Sequence, residues 1–480
     1  MAKWATDWPF KSAIPLKIYQ TNSLDQLVPN KNTKSKAENP NLVKRSGFTF
    51  SLILCLATSV GIFSQPNSPK SKKKENTKLI LLSIDGFLGS YFESPEILKL
   101  VPNLKEFSER SAFSYRIKTV NPSVTYPAHT SMITGVDPGI HGIYNNTPLD
   151  PFEKNDGGWT WYAEDIKVET LWDLARGANK TVGNVFWPVT VGAEIKYNLP
   201  QYWRKKIPED DKLLRALSTK GLHRLAESYV GSPLNDMSKD QVKFRTALWM
   251  YESFHPDLLL VYTTDLDTIH HGYGTHSEKA KEKLKEIDFE FGEFIKSLKL
   301  YERRDLALIL ISDHGFHSAK HSCAPNLYLL KKGYIHADEQ KFDFIFKSSG
   351  GTALLLPGTR SPSIEELAVI ERDLLSECPG AIWTSLVGNS NLKLQHPDAI
   401  ALLSTRAPLY FSGSRKGEIF SESKTSIHGH GYDAEMREME TIGGVYWKGI
   451  KDKEAWKLVT VKDVFNRAKE ILSLTKRKKN

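Results

Sequence analysis

Long apolar runs recur along the chain and predict the strands of a buried sheet. Leu79–Ile84, Asp257–Thr263 and Asp305–Ser312 are of strand length and almost continuously apolar. Parallel strands that are covered on both faces have this pattern, whereas strands with one solvated face alternate. Asp240–Phe254 and Ser277–Leu300, which flank the second run, are of helix length and pattern. We therefore predict an α/β fold with a mainly parallel central sheet and helices on both faces.

Weaker patterns predict the remaining elements of one α/β domain over residues 78–476. From residue 316 to about residue 424 the pattern is less regular, which indicates a small inserted cap. Further strands are predicted at Phe113–Val120, Thr181–Trp187, Thr352–Leu356 and Pro408–Phe411, and further helices at Glu169–Arg176, Asp211–Val230, Ser363–Ser376 and Val461–Leu474.

Three segments precede this domain. Residues 1–45 are polar and lack periodicity, so we expect a disordered leader or an untranslated stretch before a start near Val43. Residues 46–64 hold the apolar run Phe48–Phe63 and have the pattern of a signal peptide or signal anchor. A buried core helix is the alternative, because the run is shorter than the ~20 apolar residues that span a bilayer. Residues 65–77 form a basic linker. We expect export to the periplasm or the cell exterior, or anchoring in the membrane.

The basic charge of the chain is confined to its N-terminal segment. The formal net charge is +9, and the first 78 residues hold 13 basic and 4 acidic residues, against 52 of each in the rest. The α/β domain therefore lacks the excess of positive charge that a general nucleic-acid surface requires. We expect a small-molecule substrate and no specific nucleic-acid partner, and the oligomeric state stays open.

The three cysteines predict neither a disulfide framework nor a zinc finger. Cys55 lies in the apolar run of the leader, whereas Cys323 and Cys378 could pair or stay reduced. None of them has the short spacing to a second ligand that thiolate metal sites show.

Polar side chains of the kinds that bind metals follow the predicted strands, at the edge where open α/β sheets bind ligands. Asp267 and His271 are four residues apart, on one face of a helical turn. Carboxylate and imidazole without thiolate suit Zn²⁺ first, and Mn²⁺ or another divalent ion second. Thr125 lies at the start of a predicted helix, and metal coordination would activate its hydroxyl as a nucleophile. Seven side chains are candidate metal ligands, a number that suits two ions. They are Asp85, Thr125, Asp267, His271, Asp313, His314 and His430.

Each candidate also has an ordinary structural interpretation. The segment Asp313-His314-Gly315 could form a turn, and a single histidine after a strand is commonly a surface or core residue. Three neighbours, His270, His428 and Asp265, compete with the candidates beside them. The placement of several such groups at predicted strand ends favours the metal interpretation.

Short motifs occur in a characteristic order between Lys78 and the end of the chain. They are Asp85-Gly86, Thr125-Tyr126-Pro127-Ala128-His129, the segment Thr134–Ile143 closed by Asn146, Phe186-Trp187-Pro188, Asp267–His271, Ser312–Gly315 and His430–Asp433. In this order they resemble the alkaline phosphatase superfamily and, within it, the nucleotide pyrophosphatase/phosphodiesterase family of type I phosphodiesterases. The resemblance implies an alkaline-phosphatase-like fold.

The resemblance also implies a site and a reaction. Thr125 would attack phosphorus and form a phosphothreonine intermediate, and Asn146 would hydrogen-bond a phosphate oxygen. The expected substrates are phosphodiesters or phosphoanhydrides of nucleotide-like kind. One zinc ion would be held by Asp267, His271 and His430, and the other by Asp85, Thr125, Asp313 and His314.

Three positions depart from the family pattern. Val124 stands where some nucleotide-cleaving members have lysine, Ala128 where many have asparagine, and Val189 where glycine is usual. These positions affect the substrate pocket and leave the metal ligands intact. Alternatives are a phosphonoacetate-hydrolase-like or other phosphoester hydrolase of the superfamily and, outside enzymes, a metal-binding ectodomain with a vestigial site.

Three aromatic residues near the motifs are candidates for contact with the substrate. Tyr126, Trp172 and Trp187 could form an apolar or stacking wall for the leaving group. Packing in the protein core is the alternative, since large aromatic side chains are commonly buried.

Overall fold

The fold is described over residues 76–474. The structure is a computed structural model, and it describes these residues except 156, 205–208, 236–238 and 387–389. The strands, numbered in chain order, are β1 (Lys78–Ile84), β2 (Ala112–Ile117), β3 (Val182–Val185), β4 (Tyr197–Leu199), β5 (Leu258–Thr263), β6 (Leu306–Ile311), β7 (His317–Cys323), β8 (Ile335–His336), β9 (Lys341–Phe342), β10 (Phe344–Ser348), β11 (Thr352–Pro357), β12 (Ala381–Ser385), β13 (Ala401–Thr405), β14 (Leu409–Phe411), β15 (Phe420–Gly429) and β16 (Thr441–Tyr446).

A seven-stranded sheet forms the centre of the molecule, with the strand order β2-β16-β6-β1-β5-β3-β4. Strand β1 pairs in parallel with β5 on one side and with β6 on the other. Every residue of β5 and β6 is buried, as strands covered on both faces require. The prediction of an α/β fold with a mainly parallel central sheet is confirmed. The register places Ile84 beside Thr263, so neighbouring strands end at the same edge.

Strand β16 is antiparallel to both of its neighbours, β2 and β6, and the sequence patterns did not predict it. Two adjacent glycines weaken its strand signal. A Cβ at Gly443 would lie 2.7 Å from Ile311 Cδ1, and one at Gly444 would lie 2.7 Å from Phe113 Cδ2. The neighbouring side chains therefore approach the backbone too closely for larger residues, so packing accounts for the glycines.

Helices cover both faces of the central sheet. In chain order they are α1 (Pro95–Leu98), α2 (Pro102–Arg110), α3 (Thr125–Thr134), α4 (Pro138–His141), α5 (Leu171–Gly177), α6 (Asp210–Leu217), α7 (Leu222–Val230), α8 (Asp240–Phe254), α9 (Asp265–Tyr273), α10 (Glu278–Ser297), α11 (Pro325–Lys331), α12 (Ile364–Glu377), α13 (Lys453–Trp456) and α14 (Asp463–Leu472). Helix α14 packs against α3 and α5 in one layer, and α10 packs against α2 and α8 in the other.

The single helix predicted at Asp211–Val230 is two helices, α6 and α7. Ser218, the residue after α6, has ψ of 157°, so the chain leaves helical geometry there. The hydroxyl of Ser218 also donates to the carbonyl of Leu214 at 2.6 Å and closes the end of the helix. Apolar periodicity continues across this break, which explains why the pattern suggested one helix.

The cap lies between β6 and β16 in the chain and has its own sheets. A four-stranded antiparallel sheet has the order β10-β11-β13-β12, and a three-stranded sheet has the order β14-β7-β15. The cap also has a separate apolar core, which includes Phe344, Leu355 and Leu403. Strands β7 and β15 were not predicted, because their positions are largely polar and partly exposed.

A disulfide joins Cys323 at the end of β7 to Cys378 at the end of α12, a pairing that the sequence left open. Both cysteines are buried in the core of the cap. The bond closes a loop with a sequence separation of 55. It therefore ties a strand of the three-stranded sheet to α12, the helix that packs against β12 of the four-stranded sheet.

The predicted leader and apolar segment, and the linker up to residue 75, lie outside the described residues. Across the part of the chain that the structure describes, no helix is both long enough and apolar enough to cross a membrane. All of the elements above belong to one compact unit, residues Lys72–Asn480.

Candidate active site

The carboxyl ends of β1 and β6 place two aspartates side by side. Asp85 directly follows β1, and Asp313 lies just beyond β6. The N–H of Gly86 donates to Oδ1 of Asp313 at 3.1 Å. Gly86 has φ of +67°, and a Cβ there would lie 2.9 Å from the Phe316 ring and 3.3 Å from Cα of Asp267. Glycine at this position therefore allows three ligand-bearing segments to approach one another.

His314 contacts both aspartates. Its Nε2 is 3.5 Å from Oδ1 of Asp85 and 3.2 Å from Oδ2 of Asp313, and all three side chains are buried. Its Nδ1 is 3.2 Å from the carbonyl oxygen of Gly315, which assigns the ring proton to Nδ1. The lone pair of Nε2 therefore faces the carboxylates, as in a metal-binding histidine.

Asp267, His271 and His430 form a second, more open group. Nε2 of His271 is 3.5 Å from Oδ1 of Asp267, and Nε2 of His430 is 3.8 Å from the same oxygen. His271 donates from Nδ1 to the carbonyl of His428 at 2.9 Å, which orients its Nε2 toward Asp267. The His430 ring stacks on the ring of His314, with centroids 3.8 Å apart, and joins the two groups. The His271 side chain is 44% exposed, so this group faces solvent.

Burial makes these carboxylates and imidazoles electrostatically unusual. Burial raises the pKa of Asp85 well above its ordinary value, and the carboxylates of Asp313 and Asp267 raise it further. Burial likewise raises the pKa of Asp313 and the pKa of Asp267. Burial lowers the pKa of His314 and, to well below its ordinary value, that of His430. The site thus holds three carboxylates, of which Asp85 and Asp313 are buried, and the neutral imidazoles of His314 and His430 cannot balance their negative charge.

The donor atoms of this site fit divalent cations. Three carboxylate oxygens accept no hydrogen bond from any described residue: Oδ1 of Asp85, Oδ1 of Asp267 and Oδ2 of Asp313. Unpaired buried acceptors are costly, and bound cations would satisfy them. The donor atoms fall within 4.8 Å of one another in two sets that share His314, namely Asp85, Asp313 and His314, and Asp267, His314 and His430. We call the six side chains the strand-end cluster: Asp85, Asp267, His271, Asp313, His314 and His430.

The hydroxyl of Thr125 lies beside the buried half of the cluster. Helix α3 begins at Thr125, and its Oγ1 is 3.4 Å from Nε2 of His314. Asn146 bridges the start of the helix: its Oδ1 accepts the N–H of Tyr126 at 2.8 Å, and its Nδ2 is 3.5 Å from Oγ1 of Thr125. The structure thus brings together the seven predicted metal ligands and Asn146.

Two supporting residues, His129 and Tyr262, were not singled out from the sequence. His129 donates from Nδ1 to the carbonyl of Thr125 at 2.8 Å, and its Nε2 accepts from the hydroxyl of Ser83 at 2.8 Å. Burial lowers the pKa of His129 to about 3, so it is neutral. The hydroxyl of Tyr262 donates to Oδ2 of Asp85. The spacing of four residues between Thr125 and His129 was the available signal, because it places both on one helix face.

Three residues that competed with the candidates lie outside the cluster. Asp265 forms an ion pair with a lysine of α10 at 3.1 Å. His270 is buried, and its Nε2 is 2.8 Å from the hydroxyl of Tyr91. His428 contacts His271 through its backbone carbonyl. These contacts hold the neighbouring ligands in place.

The structure places Tyr126, Trp172 and Trp187 in the core, unlike the predicted stacking wall. All three side chains are buried among the apolar residues of the α/β domain. The Trp187 ring packs edge-on against His129, with centroids 4.9 Å apart. Their burial agrees with the alternative interpretation, packing in the protein core.

A cavity of about 640 Å³ opens beside His271 and His430. Residues 145–151, 153 and 157–159 form one of its walls, and cap residues 345–350, 410–413 and 415 form the others. Its aromatic lining is Trp159, Phe346, Tyr410 and Phe411. We call this space the cap cavity. It is large enough for a small-molecule substrate that reaches the cluster.

Comparison with known sequences finds a matching family model and relatives that are nucleotide pyrophosphatases or phosphodiesterases by name. The model of the type I phosphodiesterase / nucleotide pyrophosphatase family matches residues 79–379. Human ectonucleotide pyrophosphatase/phosphodiesterase family member 1 is 26% identical over 271 residues, 54% of this chain and 25% of the relative. Human bis(5′-adenosyl)-triphosphatase is 25% identical over 247 residues, 50% of this chain and 47% of the relative. The chain thus spans about a quarter to a half of the length of these curated relatives.

Solved structures share the fold. Human ectonucleotide pyrophosphatase/phosphodiesterase 5 superposes with a TM-score of 0.60 at 18% identity, over 84% of this chain and 97% of the other. An inactive variant of the murine protein, in complex with AMP, gives a TM-score of 0.59 at 18% identity over the same shares. At this identity the likeness establishes the fold. The family match covers more than half of the chain and agrees with the motifs at the strand ends. The chain belongs to the type I phosphodiesterase / nucleotide pyrophosphatase family, whose members hydrolyse phosphoester and phosphoanhydride bonds.

Proposed function

We propose that the protein hydrolyses phosphodiester or phosphoanhydride bonds of small, nucleotide-like substrates, with two divalent ions and Thr125 as the nucleophile. One observation carries the proposal: three unpaired carboxylate oxygens lie in one cluster with His314, whose Nε2 is 3.4 Å from the Thr125 hydroxyl at the start of a helix. Zinc suits this set of oxygen and nitrogen donors first, and manganese second. Asp267, His271 and His430 would hold one ion, and Asp85, Thr125, Asp313 and His314 the other.

The reaction would proceed in two displacements at phosphorus. Bound divalent ions would supply Lewis acidity, which lowers the pKa of the Thr125 hydroxyl and offsets charge on the phosphoryl oxygens. Thr125 Oγ1 forms a bond to phosphorus as the bond to the leaving group breaks, giving a phosphothreonine ester. Water then attacks the same phosphorus and releases the threonine hydroxyl. The Thr125 carbonyl, held by His129, keeps the nucleophile in position.

Asn146 is the main hydrogen-bond donor toward the phosphoryl group. Its Nδ2 already lies 3.5 Å from Thr125 Oγ1, close to where a phosphoryl oxygen would be. The helix start itself offers little, because the N–H of Tyr126 is donated to Asn146 and Pro127 has no N–H. A side-chain amide thus does the work that free backbone N–H groups do in other anion sites.

The relatives support the choice of substrate class. Their names describe nucleotide pyrophosphatases, phosphodiesterases and a bis(5′-adenosyl)-triphosphatase. The murine structural neighbour binds AMP as an inactive threonine-to-alanine variant. These facts favour nucleotide-like substrates over phosphonates for this chain.

The test replaces Thr125 and measures turnover of bis(4-nitrophenyl) phosphate with bound metal. Thr125→Val keeps the shape of the side chain and removes the oxygen, so turnover should fall about 10³-fold or more. Thr125→Ser restores the hydroxyl and should retain measurable turnover. Both variants should still bind metal through the strand-end cluster. Turnover of Thr125→Val close to that of the wild type would refute the assignment of the nucleophile.

We also infer export of the protein from the cytoplasm. The paired cysteines of the cap suit an oxidising compartment. The relatives include ectoenzymes by name. Fractionation and N-terminal sequencing of the protein from its own cells test this inference. A cytosolic protein that begins at residue 1 would contradict it.

A further inference from the structure

The cap side of the cap cavity carries two basic side chains that the reaction above does not use. Lys347 belongs to β10, and Arg415 belongs to the loop between β14 and β15. Both line the cavity that also reaches His271 and His430. Neither forms an ion pair with any residue that the structure describes. Some other basic side chains of the cap, such as Lys332, Lys341 and Arg360, pair with carboxylates at its surface.

The ammonium group of Lys347 lies close to the reactive end of the cavity. Its Nζ donates to Oγ1 of Thr147 at 2.7 Å and to the carbonyl of Pro148 at 2.9 Å. An ammonium group has three N–H donors, so these contacts leave one for a ligand. Thr147 follows Asn146, and adjacent Cα atoms are about 3.8 Å apart. Lys347 therefore contacts the residue next to Asn146, whose side-chain amide faces Thr125.

The positive charge of Lys347 is incompletely balanced. Burial lowers the pKa of Lys347 to about 8, and the carboxylate of Asp150 opposes this change. Asp150 is itself engaged, since its oxygens accept the N–H groups of Lys154 at 2.9 Å and Asn155 at 2.6 Å. Glu153 also lines the cavity and is exposed to solvent. An anion bound against Lys347 would supply the missing countercharge.

Two further groups make this wall suitable for an oxyanion. The hydroxyl oxygen of Ser348 is buried and has no hydrogen-bond partner among the described residues. The Arg415 guanidinium lies over the ring of Phe152, 5.2 Å from its centroid, which holds it at the cavity wall. A hydroxyl, an ammonium and a guanidinium are the groups that commonly bind phosphate.

We infer that Lys347, with Arg415 as a second contact, selects substrates whose leaving group carries a phosphate. This inference rests on the proposed function and adds a specificity-determining residue from the cap. A phosphate on the leaving group would contact Lys347 and Ser348 at the wall of the cavity. A neutral aryl or alcohol leaving group would leave the ammonium without a countercharge and gain nothing from it.

Two probes with the same AMP half separate this role from the reaction itself. ATP has a diphosphate leaving group, whereas the 4-nitrophenyl ester of AMP has a leaving group without phosphate. Lys347→Met should lower kcat/KM for ATP about 10- to 100-fold, the usual effect of losing a hydrogen bond to a charged group. The same variant should change kcat/KM for the nitrophenyl ester less than about 3-fold.

Control variants separate charge from structure. Lys347→Arg keeps a positive charge and should recover most of the activity on ATP. Lys341→Met removes an exposed lysine of β9, which pairs with Glu339 at 3.3 Å, and should affect neither probe. Arg415→Met should affect ATP alone and by less than Lys347→Met does. Thermal melts of each variant check that the cap is folded.

The outcomes distinguish this inference from the proposed function. An equal loss on both probes would assign Lys347 a structural role, and an unchanged kcat/KM for ATP would leave it without a role, so either result overturns the inference. A wild-type protein that cleaves the nitrophenyl ester but not ATP would overturn the inference and leave the proposed function intact. A metal-loaded wild-type protein that cleaves neither probe would overturn both.

Discussion

The two sides of the active-site cavity are built in different ways. On the sheet side, the strand-end cluster lies at strand ends and on one turn of α9, and backbone groups such as the N–H of Gly86 fix it. On the cap side, the wall joins distant segments, as in the contact of Lys347 with Thr147, 200 residues apart in the chain. The sheet side is buried and acidic, whereas the cap side is more open and carries basic groups.

This difference separates the reaction from the choice of substrate. Two sets of donors in the strand-end cluster have His314 in common, so we expect a change to one member to disturb the others. A change to the cap wall leaves those side chains untouched. We therefore expect sheet-side variants to lose activity on every substrate and cap-side variants to lose it selectively.

The largest effect should come from Asp313→Asn. The variant removes a buried charge that faces the cluster, so metal affinity should fall sharply and turnover of every substrate by about 10³-fold or more. Without metal, the same change relieves repulsion between Asp313 and Asp85, so the variant should melt at a higher temperature than the wild type in a chelator. Metal analysis, turnover assays and thermal melts measure these effects.

Asp305→Asn is the matched control for that variant. Asp305 lies just before β6, at the end opposite the site, and pairs with Arg303. Its replacement should leave turnover and metal content within about 2-fold of the wild type, as expected for a surface ion pair. If both variants lost activity alike, the loss would reflect folding of the strand and not the site.

The disulfide of the cap should have a large effect on stability and a small effect on catalysis. Cys378→Ala opens a loop with a sequence separation of 55, and the chain-entropy model gives a loss of about 4 kcal/mol in the free energy of unfolding. Turnover of bis(4-nitrophenyl) phosphate by the folded protein should change less than about 3-fold, because five of the six side chains of the strand-end cluster lie outside the cap and only His430 follows a cap strand. Denaturant unfolding and turnover at low temperature measure the two effects. A large loss of turnover in a folded variant would contradict the separation of the two sides.

A smaller effect should follow from Tyr262→Phe. This variant removes the hydroxyl that donates to Oδ2 of Asp85 and leaves the ring in place. Residues that orient a metal ligand in this way usually change metal affinity or activity about 10- to 100-fold. Higher metal concentration should restore part of the activity, as a titration will show. Tyr446→Phe, a change at the end of β16, is the control and should have no such effect.

The smallest effect, taken per pH unit, is a dependence of stability on pH that arises from a histidine on the sheet side. His141, on the helix that precedes the Asn146 loop, accepts the N–H of Ile143 at 3.1 Å, and burial lowers its pKa to about 3. The unfolded chain therefore binds more protons than the fold between about pH 3 and pH 6.5. In this window His141 raises stability with increasing pH by up to about 1.4 kcal/mol per pH unit.

Unfolding in denaturant between pH 4 and pH 7, with a chelator present, measures that slope. His141→Gln should be less stable overall. Its free energy of unfolding should also rise less steeply with pH, by up to the slope of about 1.4 kcal/mol per pH unit that one proton gives. An unchanged slope would show that His141 is not neutral in the fold.

The sequence predicted the sheet side well because its elements are local and strongly patterned. Helix α8 has the predicted bounds, β1 and β5 differ from their predictions by one residue at one end, and β6 differs by one residue at each end. Once these strands are parallel neighbours, their carboxyl ends must meet, so Asp85 and Asp313 could be placed together without coordinates. The family resemblance added the grouping of the ligands and the importance of Asn146.

The cap side was not predictable in the same way. Strands β7 and β15 expose polar side chains, so neither periodicity nor apolarity marks them. Which aromatic residues line the cap cavity and which are buried is a property of tertiary packing. Trp187 and Trp159 are alike as residues, yet the first is buried in the core and the second lines the cap cavity. Lys347 was not singled out because its partners, Thr147 and Pro148, are about 200 residues away in the chain.

The stereochemical course of hydrolysis tests the role of Thr125 most directly. The substrate is an aryl phosphorothioate diester of one configuration at phosphorus, hydrolysed by the metal-loaded protein in ¹⁸O-labelled water. Each in-line displacement inverts phosphorus, so attack by Thr125 followed by attack of water predicts net retention of configuration. Net inversion, the result of direct attack by water, would contradict a phosphothreonine intermediate.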